Sequence, residues 1–194
     1  PKKLGEPPDH GFLYTGKGLE FDGVADYITV ADSVAINPQD GDTGFTWTFW
    51  FKSSSATNPS GVEYLMDKYY ATDRIRLRFS TSGNLWFKVE EQGGGTYNVA
   101  LTTDEDWYDA QWHHFVGTFE VGSATGHKIW VDGLNVKTGG TAVPSNVFSS
   151  WSNARDLHIG RESAADQNYF AGSLSNVQIW NAAWSESDVQ YAYT

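Results

Sequence analysis

The sequence predicts an all-β fold in which two antiparallel sheets pack face to face, with one short helix at the C-terminal end. Three observations support this prediction. Roughly a dozen short segments alternate apolar with other residues, which is the pattern of strands that bury one face. Turn-forming residues separate these segments. Aromatic residues make up 15% of the chain and glycine is common, a composition typical of β-rich domains.

The first half of the chain contains the strands GLEFDG, DYITV, FTWTFWFKS, EYLMDKY, RIRLRFS and NLWFKVE. FTWTFWFKS carries an aromatic residue at every second position: Phe45, Trp47, Phe49 and Phe51. In RIRLRF the arginines share one side and the apolar residues the other, which predicts one face in water and one in the core. The arginines are Arg74, Arg76 and Arg78, and the apolar residues are Ile75, Leu77 and Phe79.

The second half continues with NVALTT, WHHFVGTFE, HKIWVDGLNV, LHIGRE and GSLSNVQIW. TSGN predicts a hairpin turn between two strands of the first half. Asp132-Gly133 predicts a two-residue type I′ hairpin, because both residue types tolerate a positive φ. Near the end, Ser185 predicts the N-cap of a short helix over ESDVQYAY, whose first turn carries acidic residues that suit the helix dipole.

Two adjacent histidines, His113 and His114, raise the question of a metal-binding or catalytic pair. Consecutive side chains of a strand point to opposite faces of its sheet. WHHFVGTF alternates as a strand does, so only a bulge would let the two imidazoles meet. The sequence therefore predicts two ordinary strand residues on opposite faces.

The composition excludes several classes of function. The formal net charge is −11 and Lys2-Lys3 is the only pair of adjacent basic residues, so the chain is expected to repel nucleic acid and attract cations such as calcium. Without cysteine there is no thiol catalysis, disulfide or thiolate metal site. No apolar run reaches the roughly 18–20 residues needed to cross a membrane, so membrane insertion is not expected.

Five segments in order resemble the laminin-G-like domains of the concanavalin A-like superfamily: GLEFDGVADYITV, FTWTFWFKS, WHHFVGTF, KIWVDGLNV and GSLSNVQIWNAAWSESDV. The resemblance implies a jelly-roll β-sandwich over residues 16–194. Residues 1–15 are expected to be an arm or linker, since Pro7-Pro8 blocks regular structure. Such domains mostly bind glycans or proteins as modules of larger secreted, surface or virion proteins. Some relatives of the fold are glycosidases or lyases, so the fold alone does not decide function.

The resemblance also suggests a calcium site near the Phe-Asp-Gly motif, with Asp22, Asp26 and Asn176 as candidate ligands. Calcium takes several oxygen ligands from carboxylates and carbonyls. The family often has an Asp in the C-terminal strand where this chain has Ser175, followed by Asn176, and this loss lowers the expected affinity. The alternative is that Asp22 and Asp26 only shape the turn between the first two strands.

Motifs of a catalytic site are missing from the sequence. Glycoside hydrolysis needs two carboxylates placed close together. Sandwich glucanases, which share the implied fold, carry them in a Glu-x-Asp-x-x-Glu pattern that this chain lacks. The acidic segment TTDEDWYD does not have that spacing, and Gly-x-Ser-x-Gly is absent. The sequence therefore predicts that the protein is not an enzyme.

Aromatic residues in predicted loops and strand ends are the candidate ligand contacts, because the CH-rich faces of sugars stack on Trp and Tyr rings. The candidates are Tyr69, Tyr70, Tyr97, Trp107, Tyr108 and Trp151. The alternative for each of them is packing in the core or at its rim, which aromatic-rich sandwiches use heavily.

Together these features favour a non-catalytic recognition or adhesion module, outside the cell, on a cell surface or on a virion. Its partner is expected to be a glycan or a surface protein, and calcium is the one cofactor expected. The first alternative is a structural protein that decorates a virion or cell surface and contacts assembly partners there. The second alternative is a polysaccharide-active enzyme of the same fold.

Overall fold

The structure, a computed structural model, describes residues 18–70, 73–90, 96–100, 107–146 and 154–194. The arm expected at residues 1–15 lies outside the described residues. Twelve strands and one α-helix occur in the described part of the chain. The strands are β1 (Leu19–Asp22), β2 (Ile28–Val30), β3 (Gly44–Ser53), β4 (Glu63–Tyr70), β5 (Asp73–Phe79), β6 (Leu85–Glu90), β7 (Thr96–Ala100), β8 (His113–Glu120), β9 (His127–Val131), β10 (Leu134–Thr138), β11 (Leu157–Ile159) and β12 (Ala171–Trp180). The helix α1 spans Glu186–Tyr193, and a single 3-10 turn spans Val34–Ile36.

The strands form two six-stranded sheets. Sheet A has the order β1-β12-β3-β8-β9-β10, and sheet B has the order β2-β11-β4-β5-β6-β7. Neighbouring strands in both sheets pair antiparallel. The prediction of a two-sheet antiparallel sandwich with one C-terminal helix is therefore confirmed.

The core between the two sheets is largely aromatic. The alternating aromatic residues of β3 are all buried, as the pattern predicted, and the apolar residues of β5 face them from sheet B. Phe45 stacks on Phe119 and Phe49 stacks on Phe115, with ring centroids 5.3 Å and 5.1 Å apart. Because alternate residues of each strand point inward, the remaining residues form an outer face on each sheet.

The turns expected from the sequence are present. Asp132 and Gly133 join β9 to β10 as a two-residue loop with φ of 52° and 80°, the positive values that a type I′ turn requires. The β5–β6 hairpin is closed by a hydrogen bond from the Ser80 amide to the Asn84 carbonyl oxygen, 2.9 Å long. Local sequence signals thus fix the connections within both hairpins.

Helix α1 begins with a capping box. The Ser185 hydroxyl accepts a hydrogen bond from the Asp188 amide, and the Asp188 carboxylate accepts one from the Ser185 amide. These two bonds satisfy backbone donors that the first turn of a helix leaves without partners. The predicted N-cap at Ser185 is therefore confirmed.

Helix α1 packs on the outer face of sheet A. Its buried residue Val189 contacts Val116 and Trp130, which project outward from β8 and β9. Near the C-terminal end of the helix, the Tyr193 ring stacks on Trp50 with centroids 5.9 Å apart. The helix therefore covers outward-facing apolar side chains that the two sheets cannot bury between them.

Strand β12 contains a bulge where it runs beside β3. Ser175 pairs with Trp50 and Gln178 pairs with Thr48, so that two residues of β12, Asn176 and Val177, stand opposite one residue of β3. Asn176 has a φ of 50°, a left-handed value that asparagine tolerates better than most residues. Bulges change the direction in which side chains project, and they are frequent beside functional sites.

Candidate functional site

The outer face of sheet B carries a row of arginines stacked against aromatic rings, which we call the arginine face. It consists of Tyr64, Tyr69, Arg74, Arg76, Arg78 and Trp86. The β5 alternation places its arginines outward, because the intervening residues are buried in the core. The strand register then sets Tyr69 opposite Arg74, and both Tyr64 and Trp86 opposite Arg78.

The guanidinium groups of the arginine face lie over aromatic rings. Arg78 is 3.9 Å from the ring centroid of Trp86 and 5.8 Å from that of Tyr64. Arg76 lies 5.1 Å from Tyr64 and 4.9 Å from Tyr69, and Arg74 lies 4.5 Å from Tyr69. Stacked in this way, the flat guanidinium groups are held in fixed orientations by cation–π contacts.

This face is less exposed than the sequence predicted for its arginines. Arg76 is only 8% exposed, and its Nε lies 3.1 Å from the fully buried Asp67 carboxylate. Asp67 also accepts hydrogen bonds from the amide and the hydroxyl of Ser163, in the segment between β11 and β12. Burial raises the pKa of Asp67, although Arg76 and Ser163 oppose that rise. The segment after β11 therefore closes one side of the face.

The cations of this face differ in their carboxylate partners. Arg74 Nη1 lies 2.9 Å from Glu90, and Lys88 lies 2.6 Å from the same carboxylate. Arg76 pairs with Asp67 and approaches Glu162. Among the described residues no carboxylate forms an ion pair with Arg78, and its Nε is buried without a hydrogen-bond partner. The Arg78 guanidinium can therefore bind an anionic group of a ligand by donating hydrogen bonds to it.

The surroundings of Arg78 also affect its protonation. Burial lowers the pKa of the Arg78 guanidinium, and the charge of Arg76 lowers it further, while Tyr64 and Glu162 act in the opposite direction. A guanidinium stays protonated in proteins, so this shift indicates a positive charge that its neighbours compensate poorly. A bound carboxylate would compensate that charge with a bidentate pair of hydrogen bonds.

One of the six aromatic residues predicted to contact a ligand lies on the arginine face, namely Tyr69. Tyr97 and Tyr108 were predicted wrongly, because both are buried in the core. Tyr97 packs edge-on against Phe119, and the Tyr108 hydroxyl donates to the carboxylate of Glu63.

Of the other three aromatic candidates, Trp107 has a described side chain, and it does not belong to the arginine face. Trp107 is half-buried at the rim of the core, with its ring 4.9 Å from that of His113. Tyr70 ends β4, and its side chain is not among those described. Trp151 lies outside the described residues. Alternation and turn signals locate strands, but they do not tell which loop aromatic residues fold back onto the core.

The predicted ligands of calcium do not all come together. Asp22 Oδ1 accepts hydrogen bonds from the amides of Val24, Ala25 and Asp26, so this carboxylate shapes the turn after β1. These bonds hold the pKa of Asp22 below its ordinary value. Asn176 was predicted wrongly as a third ligand of this site. Asp22 pairs with Ala171, and Asn176 lies five residues further along β12, about 16 Å away. Calcium binding at Asp22 and Asp26 stays a prediction.

The two adjacent histidines lie on opposite faces of sheet A, as predicted. The His114 ring lies on the outer face, where Nε2 is 2.9 Å from the Thr48 hydroxyl. The His113 ring points inward and lies 5.5 Å from Phe51. His113 Nδ1 is 2.8 Å from Asp132 and Nε2 is 3.1 Å from Asp109, so two carboxylates flank this imidazole. The pair therefore cannot act on one ligand.

The variant His113→Gln removes the imidazole and is expected to lower the free energy of unfolding. This loss is expected to become smaller as pH rises. Burial lowers the pKa of His113, but Asp132 and Asp109 outweigh burial and raise it above 6.5. A raised pKa contributes stability that is complete below the unfolded-state pKa and is lost as pH rises through the folded-state pKa. Urea unfolding at several pH values between about 6 and 9 measures the difference between the two proteins. A difference that grows with pH would contradict this assignment.

A model of the concanavalin A-like lectin/glucanases superfamily, of laminin-G type, matches residues 22–190. A comparison with curated protein sequences finds no significant match. In the described part of the chain, no helix has both the length and the apolar character needed to cross a membrane.

Solved structures of similar fold include a CBM40 domain, a sialidase and the receptor-binding domain of a toxin. The Ruminococcus gnavus IT-sialidase CBM40 bound to α2,3-sialyllactose is 11% identical, with a TM-score of 0.67 over 92% of this chain and 97% of that chain. NanB sialidase from Streptococcus pneumoniae, as its K499G mutant, is 16% identical, with a TM-score of 0.67 over 90% of this chain and 27% of that chain. The receptor-binding domain of botulinum neurotoxin D is 14% identical, with a TM-score of 0.65 over 90% and 42%. The chain thus spans under half of the sialidase and of the toxin domain, and these likenesses show the fold.

Proposed function

Because the chain belongs to the concanavalin A-like lectin/glucanases superfamily, we propose that it is a non-catalytic recognition module that binds a carboxylate-bearing glycan on the arginine face. The observation that carries this proposal is Arg78, a half-buried arginine that is stacked on Trp86 and has no ion-pair partner among the described residues. The module would work within a larger protein that is secreted or displayed on a cell or virion surface.

The geometry of Arg78 supports recognition of a carboxylate. An arginine fixed over an indole ring loses little side-chain entropy when it binds, and its planar group matches the two carboxylate oxygens. Trp86 and Tyr69, which are both partly exposed, supply the flat apolar surface against which sugar rings pack. The CBM40 domain bound to α2,3-sialyllactose has the same fold, which makes a sialylated glycan the first ligand to test.

The charge balance of the face favours a single acidic sugar over a polyanion. Among the described residues, the three arginines of the face and the neighbouring Lys88 are accompanied by three carboxylates, Asp67, Glu90 and Glu162. One anionic group would therefore balance the one excess positive charge among these groups. The formal net charge of −11 on the whole chain repels ligands that carry many negative charges.

The variant Arg78→Gln is expected to weaken the binding of 3′-sialyllactose about tenfold or more, down to the affinity for lactose. The physical reason is the loss of a charge-assisted pair with the sugar carboxylate. Isothermal titration calorimetry with 3′-sialyllactose and with lactose measures the ratio of affinities for the unaltered protein and the variant. Lys137→Gln, on β10 of the other sheet, removes the same charge and is expected to leave that ratio unchanged.

Two results would contradict the proposal. The unaltered protein could bind the two sugars equally, or Arg78→Gln could keep the preference for 3′-sialyllactose. The non-catalytic part is tested separately by incubating the protein with 3′-sialyllactose and a polysaccharide panel. Free sialic acid or new reducing ends in proportion to the protein would identify an enzyme. Absence of both binding and turnover would favour the structural, surface-decorating role.

A further inference from the structure

A second candidate site lies on the opposite side of the molecule, in a cleft of about 610 Å³ between β12 and α1 on the outer face of sheet A. Gln178 and Trp180 line it from β12, and Trp184, Asp188 and Tyr191 line it from the C-terminal segment. None of these residues belongs to the arginine face. The inference drawn from this cleft therefore goes beyond the proposed function and does not rest on it.

The bulge in β12 builds one wall of the cleft. It places Asn176 at the cleft, where its side chain joins a row of hydrogen bonds along the strand. Trp180 Nε1 donates to Gln178 Oε1 at 3.1 Å, and Gln178 Nε2 donates to Asn176 Oδ1 at 2.9 Å. These two hydrogen bonds fix the orientation of both amides. Asn176 takes part in them only through Oδ1, so its Nδ2 group is not used in the row. The Asn176 amide can thus donate hydrogen bonds to a ligand.

The rim of the cleft is aromatic and exposed. Trp180 is 47% exposed and Tyr191 is 87% exposed, which is unusual because most of the aromatic side chains that the structure describes are buried. The Trp180 and Trp184 rings lie 5.6 Å apart at an angle of 57°. Two tilted indoles beside a phenol form an angled apolar surface into which a ring-shaped ligand can fit.

The floor of the cleft is polar and buried. Thr48 and His114 lie there, 2% and 3% exposed, and hydrogen-bond to each other. Asp188 adds a carboxylate whose pKa is held below its ordinary value by hydrogen bonds from Ser185. Among the described residues that line the cleft there is no lysine or arginine. The lining therefore disfavours an anionic ligand and offers acceptors and amide donors to hydroxyl groups.

We propose that this cleft is a second saccharide site, which binds a neutral sugar. Aromatic rings would pack on the CH face of the sugar, while the amides of β12 and the Asp188 carboxylate bond its hydroxyls. This combination of a few placed polar groups with apolar walls is typical of small-molecule sites. The two sites then differ in ligand chemistry, because the arginine face has cations and the described lining of the cleft has none.

The test is a titration with lactose, cellobiose and chitobiose, followed by calorimetry and by the indole NH signals of Trp180 and Trp184 in NMR spectra. At least one of these sugars is expected to bind and to shift both signals. Trp180→Ala is expected to weaken that binding about tenfold, while Trp180→Phe keeps most of it, because the packing surface remains. Tyr191→Ala is a second variant at an exposed position, in case Trp180→Ala fails to fold.

Two controls separate this site from the arginine face. Leu134→Ala removes an exposed apolar side chain from the same sheet outside the cleft and is expected to change nothing. Arg78→Gln is expected to leave binding of the neutral sugar intact. The proposal is overturned if none of the three sugars shifts the two indole signals, or if both Trp180→Ala and Tyr191→Ala fold and bind as the unaltered protein does.

Discussion

Replacing Lys68 by methionine is expected to lower the free energy of unfolding by about 3 kcal/mol, because a buried charge pair loses one partner. The Lys68 side chain is fully buried, with Nζ 2.7 Å from Asp32 Oδ1, and it also donates to the carbonyl oxygen of Arg155. These bonds tie β4 to the segment after β2 and to the segment before β11. Since the Asp32 side chain is 30% exposed and can regain water, the loss falls at the low end for such pairs.

Urea unfolding of Lys68→Met measures this loss, and Lys137→Met is the matched control because it removes the same charge from a partly exposed position. Burial raises the pKa of Asp32, but hydrogen bonds from Lys68 and Asn37 outweigh burial and hold it below its ordinary value. The pKa of Asp32 should therefore rise in Lys68→Met, which NMR titration detects. Equal destabilisation of the two variants would show that the buried pair contributes nothing of its own.

Acidification is expected to destabilise the protein through His127, by an amount on the order of 3 kcal/mol between pH 7 and pH 4. The His127 ring is buried between Phe87 and Phe119, and among the described residues neither ring nitrogen has a hydrogen-bond partner. Burial lowers the pKa of His127 from 6.5 to about 3. The neutral ring therefore contributes stability that is complete above pH 6.5 and is lost as pH falls towards about 3.

The variant His127→Leu isolates this contribution, because leucine fills a similar volume and does not titrate. Its free energy of unfolding should be at least that of the unaltered protein at pH 7, since two buried unsatisfied nitrogens are removed. Its advantage should grow as pH falls to 4. His158→Leu, at a partly exposed histidine on β11, should give a smaller change. Parallel pH profiles for His127→Leu and the unaltered protein would show that His127 has the same pKa in the folded and unfolded states, which would contradict this assignment.

Much of the fold could be predicted from the sequence, because strand alternation and turn chemistry are local signals. The buried aromatic face of β3, the type I′ turn at Asp132-Gly133 and the capping box at Ser185 each follow from residues close in the chain. The opposite directions of His113 and His114 follow from alternation alone. The bulge in β12 could not be predicted in this way, because it depends on how β12 pairs with β3, a distant strand.

The candidate sites were harder to predict, because they arise where distant segments meet. The sequence identified Arg78 only as one of three arginines expected to face water. Arg78 becomes a candidate binding residue because Trp86 and Tyr64, on the two neighbouring strands, lie opposite it. Tyr97 and Tyr108 are tyrosines, whose rings can stack on sugars, but the fold buries both of them. An arginine-rich strand followed by a hairpin partner with tryptophan as its second residue is the signal that could have located the arginine face.

The position of α1 has a consequence for the colloidal behaviour of the protein. Val116 and Trp130 project from the side of sheet A that faces away from the core, and Val189 of the helix is what shields them from water. When the helix unfolds or is cut away, both sheets remain complete but an apolar patch opens on the surface. A chain without the helix is then expected to self-associate through this patch. The helix therefore protects the protein against aggregation in addition to stabilising the fold.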